Sequence, residues 1–179
     1  MELQQVILVD EKDRQQGFME KMMAHERGLL HRAFSVFIFN NKGEMLLQQR
    51  ALNKYHSGGL WTNACCSHPQ PEEKTRNAAQ RRLKEEMGFE VSLKKIFDFV
   101  YKTEFEGGLS EHEFDHVFVG EYEAGIAFNR EEVMDCCYKN MPEIKESLYT
   151  HPQKYTAWFH LAFPKIESWW NDRYNGRVG

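Results

Sequence analysis

The residues best suited to chemistry in this chain are histidines and glutamates scattered over separate segments. Glu111 and Glu113 open a predicted β-strand, and residues two apart in a strand project from the same face. His112 between them would therefore face the other way. Three further histidines, expected in or beside loops and strand ends, would complete a nitrogen and oxygen ligand set suited to Mn²⁺, Zn²⁺ or Fe²⁺. The set is His25, His31, His68, Glu111 and Glu113. Spacing alone supports it weakly, because a lone histidine in a loop is usually just solvated.

Basic side chains form a second candidate group. In a chain of formal net charge −4, the cations that could bind an anionic ligand are Lys21, Arg50, Lys54 and Arg82. Arg50 and Lys54 flank Ala-Leu-Asn in a loop after a predicted hairpin, which is a plausible place to reach a ligand. Taken singly, each cation is more often a solvated surface residue.

The four cysteines fall as two adjacent pairs, Cys65-Cys66 and Cys136-Cys137. Neighbouring Cα atoms are ~3.8 Å apart, below the usual disulfide span, so a bridge within a pair would be strained. A bridge between the pairs stays open. On residue type alone, Cys66 could be an inert core thiol and Trp158 a core aromatic.

Residues 72–87 give the clearest helical pattern. Ala79, Leu83 and Met87 recur every four residues, acidic residues at 72 and 73 suit a first turn, and the glycine at 88 suits the end. Arg82 and Glu86 are four apart and share a face. Alone, such a pair is most simply a surface ion pair.

The remaining pattern predicts a mixed β-sheet surrounded by helices, in the α/β or α+β class. Strands are predicted over 6–9, 33–39, 45–49, 91–102, 114–122 and 133–138, and helices over 142–149 and 155–174. The first two long strands are joined as a hairpin by a turn at 40–43. A chain of 179 residues favours one domain, 1–179.

Bulk composition excludes several classes of function. With a sequence pI of about 6.1, the chain lacks the basic excess of a general nucleic-acid or membrane-surface binder. Its apolar runs are too short to cross a bilayer. Residues 1–5 lack the pattern of a signal peptide, so we expect a reduced cytoplasmic protein.

The predicted helix also carries a motif. Arg81 to Phe89 resembles the Nudix box, whose helix holds a metal against a diphosphate, and Glu73 stands eight residues before Arg81, as that box requires. Two positions depart from it. Ser67 replaces a glycine, and Arg82 replaces a metal-binding glutamate. Exchanging a carboxylate for a guanidinium removes a metal contact and creates an anion contact. The pattern indicates a Nudix-type scaffold no longer built for hydrolysis.

Taken together, the segments resemble isopentenyl-diphosphate delta-isomerase of the metal-dependent type 1 family, over nearly the whole chain. The matching segments are 21–31, 49–54, 59–63, 66–69, Arg81-Arg82 with Glu86, 111–113 and Trp158. The run Trp-Thr-Asn…Cys-x-His-Pro is highly specific. Position 67 is often glycine in that family and is serine here; both residues are small, so the departure is mild.

The resemblance implies a Nudix-like α/β sandwich and an enzyme that isomerises isopentenyl diphosphate to dimethylallyl diphosphate in isoprenoid synthesis. It implies a small-molecule substrate and a monomer or weak homodimer. The implied catalytic residues are Cys66, Glu113, Tyr101 and Trp158; the diphosphate contacts are Lys21, Arg50, Lys54 and Arg82. One Mn²⁺ or Zn²⁺ would bind His25, His31, His68, Glu111 and Glu113. Mg²⁺ would bind Glu86, the diphosphate and the backbone of Cys66.

That reaction needs an acid, a base and a dry pocket, because protonating an unactivated alkene makes a carbocation that water would trap. Cys66 and Glu113 suit the roles of acid and base, and which residue takes which role depends on the direction of the reaction. Two alternatives stay open: a Nudix hydrolase, which Arg82 argues against, and a non-catalytic diphosphate sensor, which would not need Cys66 and Glu113 together.

Overall fold

The computed structural model describes residues 3–174. Residues 1–2 and 175–179, which the one-domain prediction includes, lie outside that part of the chain. The strands are β1 (Gln5–Val9), β2 (Gln15–Glu20), β3 (His31–Phe39), β4 (Met45–Arg50), β5 (Trp61–Asn63), β6 (Cys65–Ser67), β7 (Lys94–Glu104), β8 (Ser110–Glu121) and β9 (Val133–Lys139). The helices are α1 (Lys21–Arg27), α2 (Thr75–Met87), α3 (Met141–Thr150) and α4 (Ala157–Tyr174). The predicted mixed sheet flanked by helices is confirmed.

Strand β3 is the centre of a nine-stranded sheet. It runs parallel to β8, from His31 beside Glu113 to Phe39 beside Glu121, and antiparallel to β1, β4 and β6. The predicted hairpin is present, since Phe39 pairs with Met45 across the turn. Almost every residue of β3 is buried, as expected of a strand covered on both faces.

Alternate residues of β3 feed two separate cores, because successive side chains of a strand point to opposite faces. Phe34, Val36 and Ile38 pack with the buried face of α2. Phe37 and Phe39 pack with α3 and α4. The two cores hold helices on both sides of the sheet and fix the strand register, since a slip of one residue would exchange every side chain between them.

Helix α2 begins three residues later than predicted. Glu72 has φ 64°, in the left-handed region, and the Glu73 side chain accepts a hydrogen bond from the Gln70 backbone N–H. Both residues therefore belong to the loop before the helix rather than to its first turn. The predicted end is confirmed: Gly88 has φ 79° and its N–H donates to the Lys84 carbonyl at 3.0 Å.

Several short elements were not predicted: β2, α1, β5 and β6. The two long strands also differ from their predicted bounds: β7 starts at Lys94 rather than 91, and β8 is one continuous strand from Ser110 that contains both the predicted opening at 111–113 and most of the predicted span 114–122. No helix within residues 3–174 is long and apolar enough to cross a membrane. All four cysteines are free thiols, so the bridge between pairs that spacing left open is absent.

Candidate active site

The sheet register places three predicted site residues side by side. Glu113 of β8 lies between Tyr101 of β7 and His31 of β3. Cross-strand neighbours on one face are close enough for direct contact. The Tyr101 hydroxyl donates to Glu113 Oε2 at 2.6 Å and to Glu111 Oε2 at 3.0 Å. The predicted common face of the two carboxylates is therefore correct.

Two histidines are oriented by backbone carbonyls. His25 lies in the last turn of α1, beside the loop that leads into β3, and its Nδ1 is 2.6 Å from the Lys21 carbonyl. His31 Nδ1 is 2.8 Å from the Leu29 carbonyl. A carbonyl oxygen only accepts, so each Nδ1 must carry a proton, and in the neutral ring Nε2 is the nitrogen that can bind a metal ion. This arrangement is typical of histidines that bind metal ions.

The donor atoms of these side chains converge. Nitrogen and oxygen atoms of His25, His31, His68 and Glu113 lie within 4.8 Å of one another, and all four residues are buried. His25 Nε2 has no hydrogen-bond partner among residues 3–174. A buried, unpartnered lone pair facing other donors fits a metal ion, so the residues present suit the predicted transition-metal site.

Glu111, the fifth predicted ligand, falls in an overlapping group. Its carboxylate lies within 4.8 Å of donor atoms of His25 and of His56, a residue that sequence reasoning missed. Glu111 remains linked to Glu113 through the Tyr101 hydroxyl. The structure thus brings all five predicted ligands into one cluster and adds a sixth donor.

Burial and neighbouring charge set the protonation of this cluster. Burial lowers the pKa of His25 to about 4 and that of His68 to about 3, which keeps both rings neutral and able to bind metal. Burial opposes ionisation of Glu113, but hydrogen bonds with His31 and His68 outweigh it and hold its pKa well below the usual range. Burial and the charge of Glu113 raise the pKa of Glu111.

Cys66 lies on β6, beside Ser35 of β3. Its thiol donates to Asn63 Oδ1 at 3.1 Å, and its Sγ is 3.4 Å from Ser35 Oγ. The Ser35 hydroxyl in turn donates to Asp115 at 2.7 Å. Burial, followed by the nearby Asp115 carboxyl, raises the pKa of Cys66, so the resting side chain is a thiol rather than a thiolate.

The predicted cations gather at one side of the same pocket. Arg82 donates to Glu86 at 2.6 Å, as its helical spacing predicted, and lies 3.6 Å from Glu132. Lys54 forms an ion pair with the same Glu132. Burial, followed by repulsion from Lys54 and Arg82, lowers the pKa of Lys21 to about 8. The cations are therefore close enough to act on a single anion.

Trp158 connects the two sides of the pocket. It sits in the first turn of α4, is almost fully buried, and lies beneath the Arg50 guanidinium, 5.1 Å from it. Its other neighbour is the His56 ring, which it meets edge-on at 5.7 Å. From its residue type alone, Trp158 could have been a core aromatic; in the structure it is buried and also lines the pocket.

One pocket joins the side chains described so far, except those of His25, His31, Asn63, Ser35 and Asp115. Its lining comprises Lys21, Gln48, Arg50, Lys54, Tyr55, His56, Cys66, Ser67, His68, Arg82, Glu86, Tyr101, Glu111, Glu113, Glu132 and Trp158. Sequence reasoning missed His56 and Glu132 here. Neither belongs to a periodic pattern; the only available signal was that His56 follows Lys54 closely in the same loop.

The altered Nudix motif folds as one unit. Arg81 binds Glu73 through two hydrogen bonds, at 2.8 and 2.9 Å, which ties the loop before α2 to the helix. Next to it, Arg82 points at Glu86. The Arg81–Glu73 pair, which holds the motif together, is thus retained. At position 82, where the Nudix box has a metal-binding glutamate, this chain presents an arginine to the pocket.

Comparison with known proteins agrees with this geometry. The NUDIX domain family matches residues 29–159. Solved structures share the fold at low identity: a Deinococcus radiodurans protein with a TM-score of 0.68 and 18% identity, covering 82% of this chain and 90% of its own, and a MutT protein from Methanosarcina mazei with a TM-score of 0.64 and 20% identity, covering 78% and 94%.

Sequence relatives are much closer. An isopentenyl-diphosphate Delta-isomerase from Burkholderia multivorans is 50% identical, over 93% of this chain and 97% of its own length. One from Pectobacterium atrosepticum is 48% identical, over 95% of each. An isopentenyl-diphosphate Delta-isomerase 2 from Aromatoleum aromaticum is 49% identical, over 92% and 87%. The chain therefore belongs to the NUDIX-domain family of isopentenyl-diphosphate delta-isomerases.

Proposed function

We propose that this protein interconverts isopentenyl diphosphate and dimethylallyl diphosphate, moving a carbon–carbon double bond and leaving the diphosphate intact. The observation that carries the proposal is a single pocket whose lining joins four cations to a thiol, a carboxylate, a phenol and an indole. The cations suit the charged end of such a substrate. The remaining groups suit the chemistry of its hydrocarbon end.

The reaction adds a proton at the terminal alkene carbon and removes one from the carbon two bonds away. Cys66 and Glu113 act as the general acid and the general base. The residue that donates the proton in one direction accepts it in the other. The Tyr101 hydroxyl, 2.6 Å from Glu113, fixes the direction of that carboxylate. General acid–base groups held in this way contribute typically 10²–10⁴-fold to a rate.

The diphosphate anchors the substrate so that its alkene lies between those two groups. Lys21, Arg50, Lys54 and Arg82 bind it, and Glu132 holds Lys54 and Arg82 in place before it arrives. Glu86 and the Cys66 backbone would hold Mg²⁺ against the same diphosphate. Fixing the anionic end in this way converts an encounter of reactants into a reaction within one complex.

A transition metal, Mn²⁺ or Zn²⁺, would be held by His25, His31, His68, Glu111 and Glu113. When bound, it supplies positive charge that orients Glu113 and tunes its acidity. The residues themselves keep the site dry: His31 is 0% exposed and His68 is 5% exposed. Excluding water matters because water would capture the carbocation.

Trp158 presents an aromatic face to the pocket, where it stabilises positive charge developing on the substrate. A desolvated cation–π contact contributes about 2 kcal/mol. Rate enhancements by enzymes require at least ~8 kcal/mol, so the indole assists the acid–base pair rather than replacing it.

We further propose that residues 1–179 form one domain that acts in the cytoplasm of the cell as a monomer or weak homodimer. Support comes from four free thiols and a net charge of −4. A small soluble diphosphate requires neither a membrane nor a nucleic-acid partner.

Product analysis tests the proposal against hydrolysis. Purified protein is incubated with isopentenyl diphosphate and Mg²⁺, and separately with a nucleoside diphosphate derivative, and products are followed by ¹H and ³¹P nuclear magnetic resonance. We expect dimethylallyl diphosphate from the first and no released phosphate from either. Released phosphate without isomerised product would identify a hydrolase instead.

A further inference from the structure

His56 is a buried imidazole at the centre of the pocket to which the reaction above gives no role. It is only 9% exposed, and its Nε2 lies 3.0 Å from Glu111 Oε1. The contact would be an ion pair if His56 were protonated, but it lacks hydrogen-bond geometry, so within residues 3–174 His56 Nε2 has no hydrogen-bond partner. A buried imidazole nitrogen without a hydrogen bond normally costs stability unless something else binds it.

The neighbours of His56 hold its ring in one orientation. The ring stacks on Phe105 with centroids 4.4 Å apart and planes 11° apart, and Tyr55 meets it edge-on at 4.4 Å. Its Nδ1 lies 3.1 Å from Ser57 Oγ. When Nδ1–H donates to that hydroxyl, Nε2 carries a lone pair, and the ring packing aims this lone pair toward Glu111.

His25 is the common member of the two donor groups. One consists of His25, His31, His68 and Glu113, and the other of His25, His56 and Glu111. His25 Nδ1 is hydrogen-bonded to the Lys21 carbonyl, so His25 Nε2 is the ligand atom in both groups. One nitrogen lone pair binds one ion, so the two groups surround a single ion rather than two.

We propose that His56 is a sixth donor to the ion held by His25, His31, His68, Glu111 and Glu113; this inference rests on the proposed function, which gives that ion its place. Four imidazoles and two carboxylates make a six-donor set, which suits ions that accept octahedral geometry, such as Mn²⁺, better than tetrahedral Zn²⁺.

A six-donor site has a consequence for the chemistry. Catalytic metal sites that activate water keep an open position, whereas closed sites do not. With His56 as a donor, the six protein groups would leave no position for a water molecule on the ion. Glu113 would then be oriented without a metal-bound nucleophile beside the carbocation.

The test counts the imidazoles bound to the metal. Protein labelled with ¹⁵N-histidine is loaded with Mn²⁺ and analysed by pulsed electron paramagnetic resonance, together with a Mn²⁺ titration. The variant His56→Phe keeps a ring stacked on Phe105 but removes the donor, and His151→Ala removes an exposed histidine outside the pocket. We expect four coupled imidazoles in the wild type and in His151→Ala, from His25, His31, His56 and His68, and three in His56→Phe with at least tenfold weaker Mn²⁺ binding.

Other outcomes separate the two proposals. Three coupled imidazoles in the unmodified protein would overturn the role of His56 while leaving the metal site intact, even if His56→Phe binds Mn²⁺ more weakly through a displaced Glu111. No Mn²⁺ binding by the wild type would overturn the metal site itself and His56 with it. The count in the wild type decides the question even if the variant does not fold.

Discussion

The two sides of the pocket solve different physical problems. The cationic side consists of long side chains, two of which, Arg82 and Lys54, have acidic partners and keep some contact with water, with 19% and 21% of their side chains exposed. The donor side consists of shorter histidine and glutamate side chains on strands, on one helix and in loops, and His31 and Glu113 are 0% and 8% exposed. The charges of Lys54 and Arg82 are compensated by ion pairs, whereas His25 Nε2 on the donor side has no hydrogen-bond partner within residues 3–174.

This difference indicates where the molecule tolerates change. A cation on the first side is one of four, partly hydrated, and its loss leaves the others to bind the diphosphate. A group on the second side is fixed by register and by backbone hydrogen bonds and has no substitute. We therefore expect substitutions on the donor side to affect turnover and those on the cationic side to affect substrate affinity.

Replacement of Cys66 by alanine is expected to have the largest effect. Removing one member of the acid–base pair should lower kcat by about 10²–10⁴-fold while leaving diphosphate binding nearly unchanged. Steady-state kinetics and a binding titration measure the two quantities. The control is Cys65→Ala on the opposite face of β6, where Cys65 belongs to the core under α2. That variant should lose thermal stability and keep its turnover; near-normal turnover of Cys66→Ala would remove the thiol from the mechanism.

Glu113→Gln should lose both chemistry and metal. The amide keeps the shape of the side chain but supplies neither the charge that binds the ion nor a titratable proton. We expect bound Mn²⁺, measured by elemental analysis, and kcat to fall together, the latter by roughly 10²-fold or more. Glu104→Gln, at the exposed end of β7, should change neither. Metal content and rate both surviving in Glu113→Gln would show that the site is misassigned.

On the cationic side, Lys54→Ala should raise KM and leave kcat nearly unchanged. Hydrogen bonds to charged groups contribute about 1.5–3 kcal/mol, so KM should rise roughly 10- to 100-fold. Lys42→Ala, in the turn between β3 and β4, is the control for removing a surface lysine. A collapse of kcat at constant KM would contradict the division between the two sides.

Among the groups expected to act on the rate, Trp158, which touches both sides, should have the smallest effect. Loss of about 2 kcal/mol of cation–π stabilisation in Trp158→Ala corresponds to a roughly 30-fold fall in kcat, and Trp158→Phe should retain most of the rate. Trp170→Phe, further along α4, serves as the control. Equal rates for the alanine and phenylalanine variants would remove the aromatic face from the account.

The elements that the sequence predicted well are those with a strong local signal. Aromatic and β-branched residues followed by a turn at 40–43 located β3 and β4, four-residue spacing located α2, and Gly88 located its end. The short elements were not predicted, because a helix of two turns or a strand of three residues is too short to show a hydrophobic period. Residues 15–20 show no clean alternation, and α1 is only seven residues long. By composition, Glu72 and Glu73 resemble a first helical turn. In the structure Glu73 lies in the loop before α2, where its carboxylate binds Arg81.

Most of the site was predictable only through resemblance to a family, and its arrangement required the fold. No pattern in the chain relates His25 to Glu113, because β3 and β8 become neighbours only when the sheet forms. His56 and Glu132 are single polar residues in loops, and nothing in their local sequence distinguishes them from solvated ones. Their roles follow from burial and from the groups that face them.

The most direct test of the central claim, acid–base isomerisation between Cys66 and Glu113, is the transfer of solvent hydrogen to carbon. The protein is incubated with isopentenyl diphosphate and Mg²⁺ in deuterated water, and the product is analysed by mass spectrometry and nuclear magnetic resonance. Acid–base isomerisation predicts deuterium in the dimethylallyl diphosphate formed, with the diphosphate intact. Recovery of unlabelled isopentenyl diphosphate, or release of phosphate without labelled product, would contradict it.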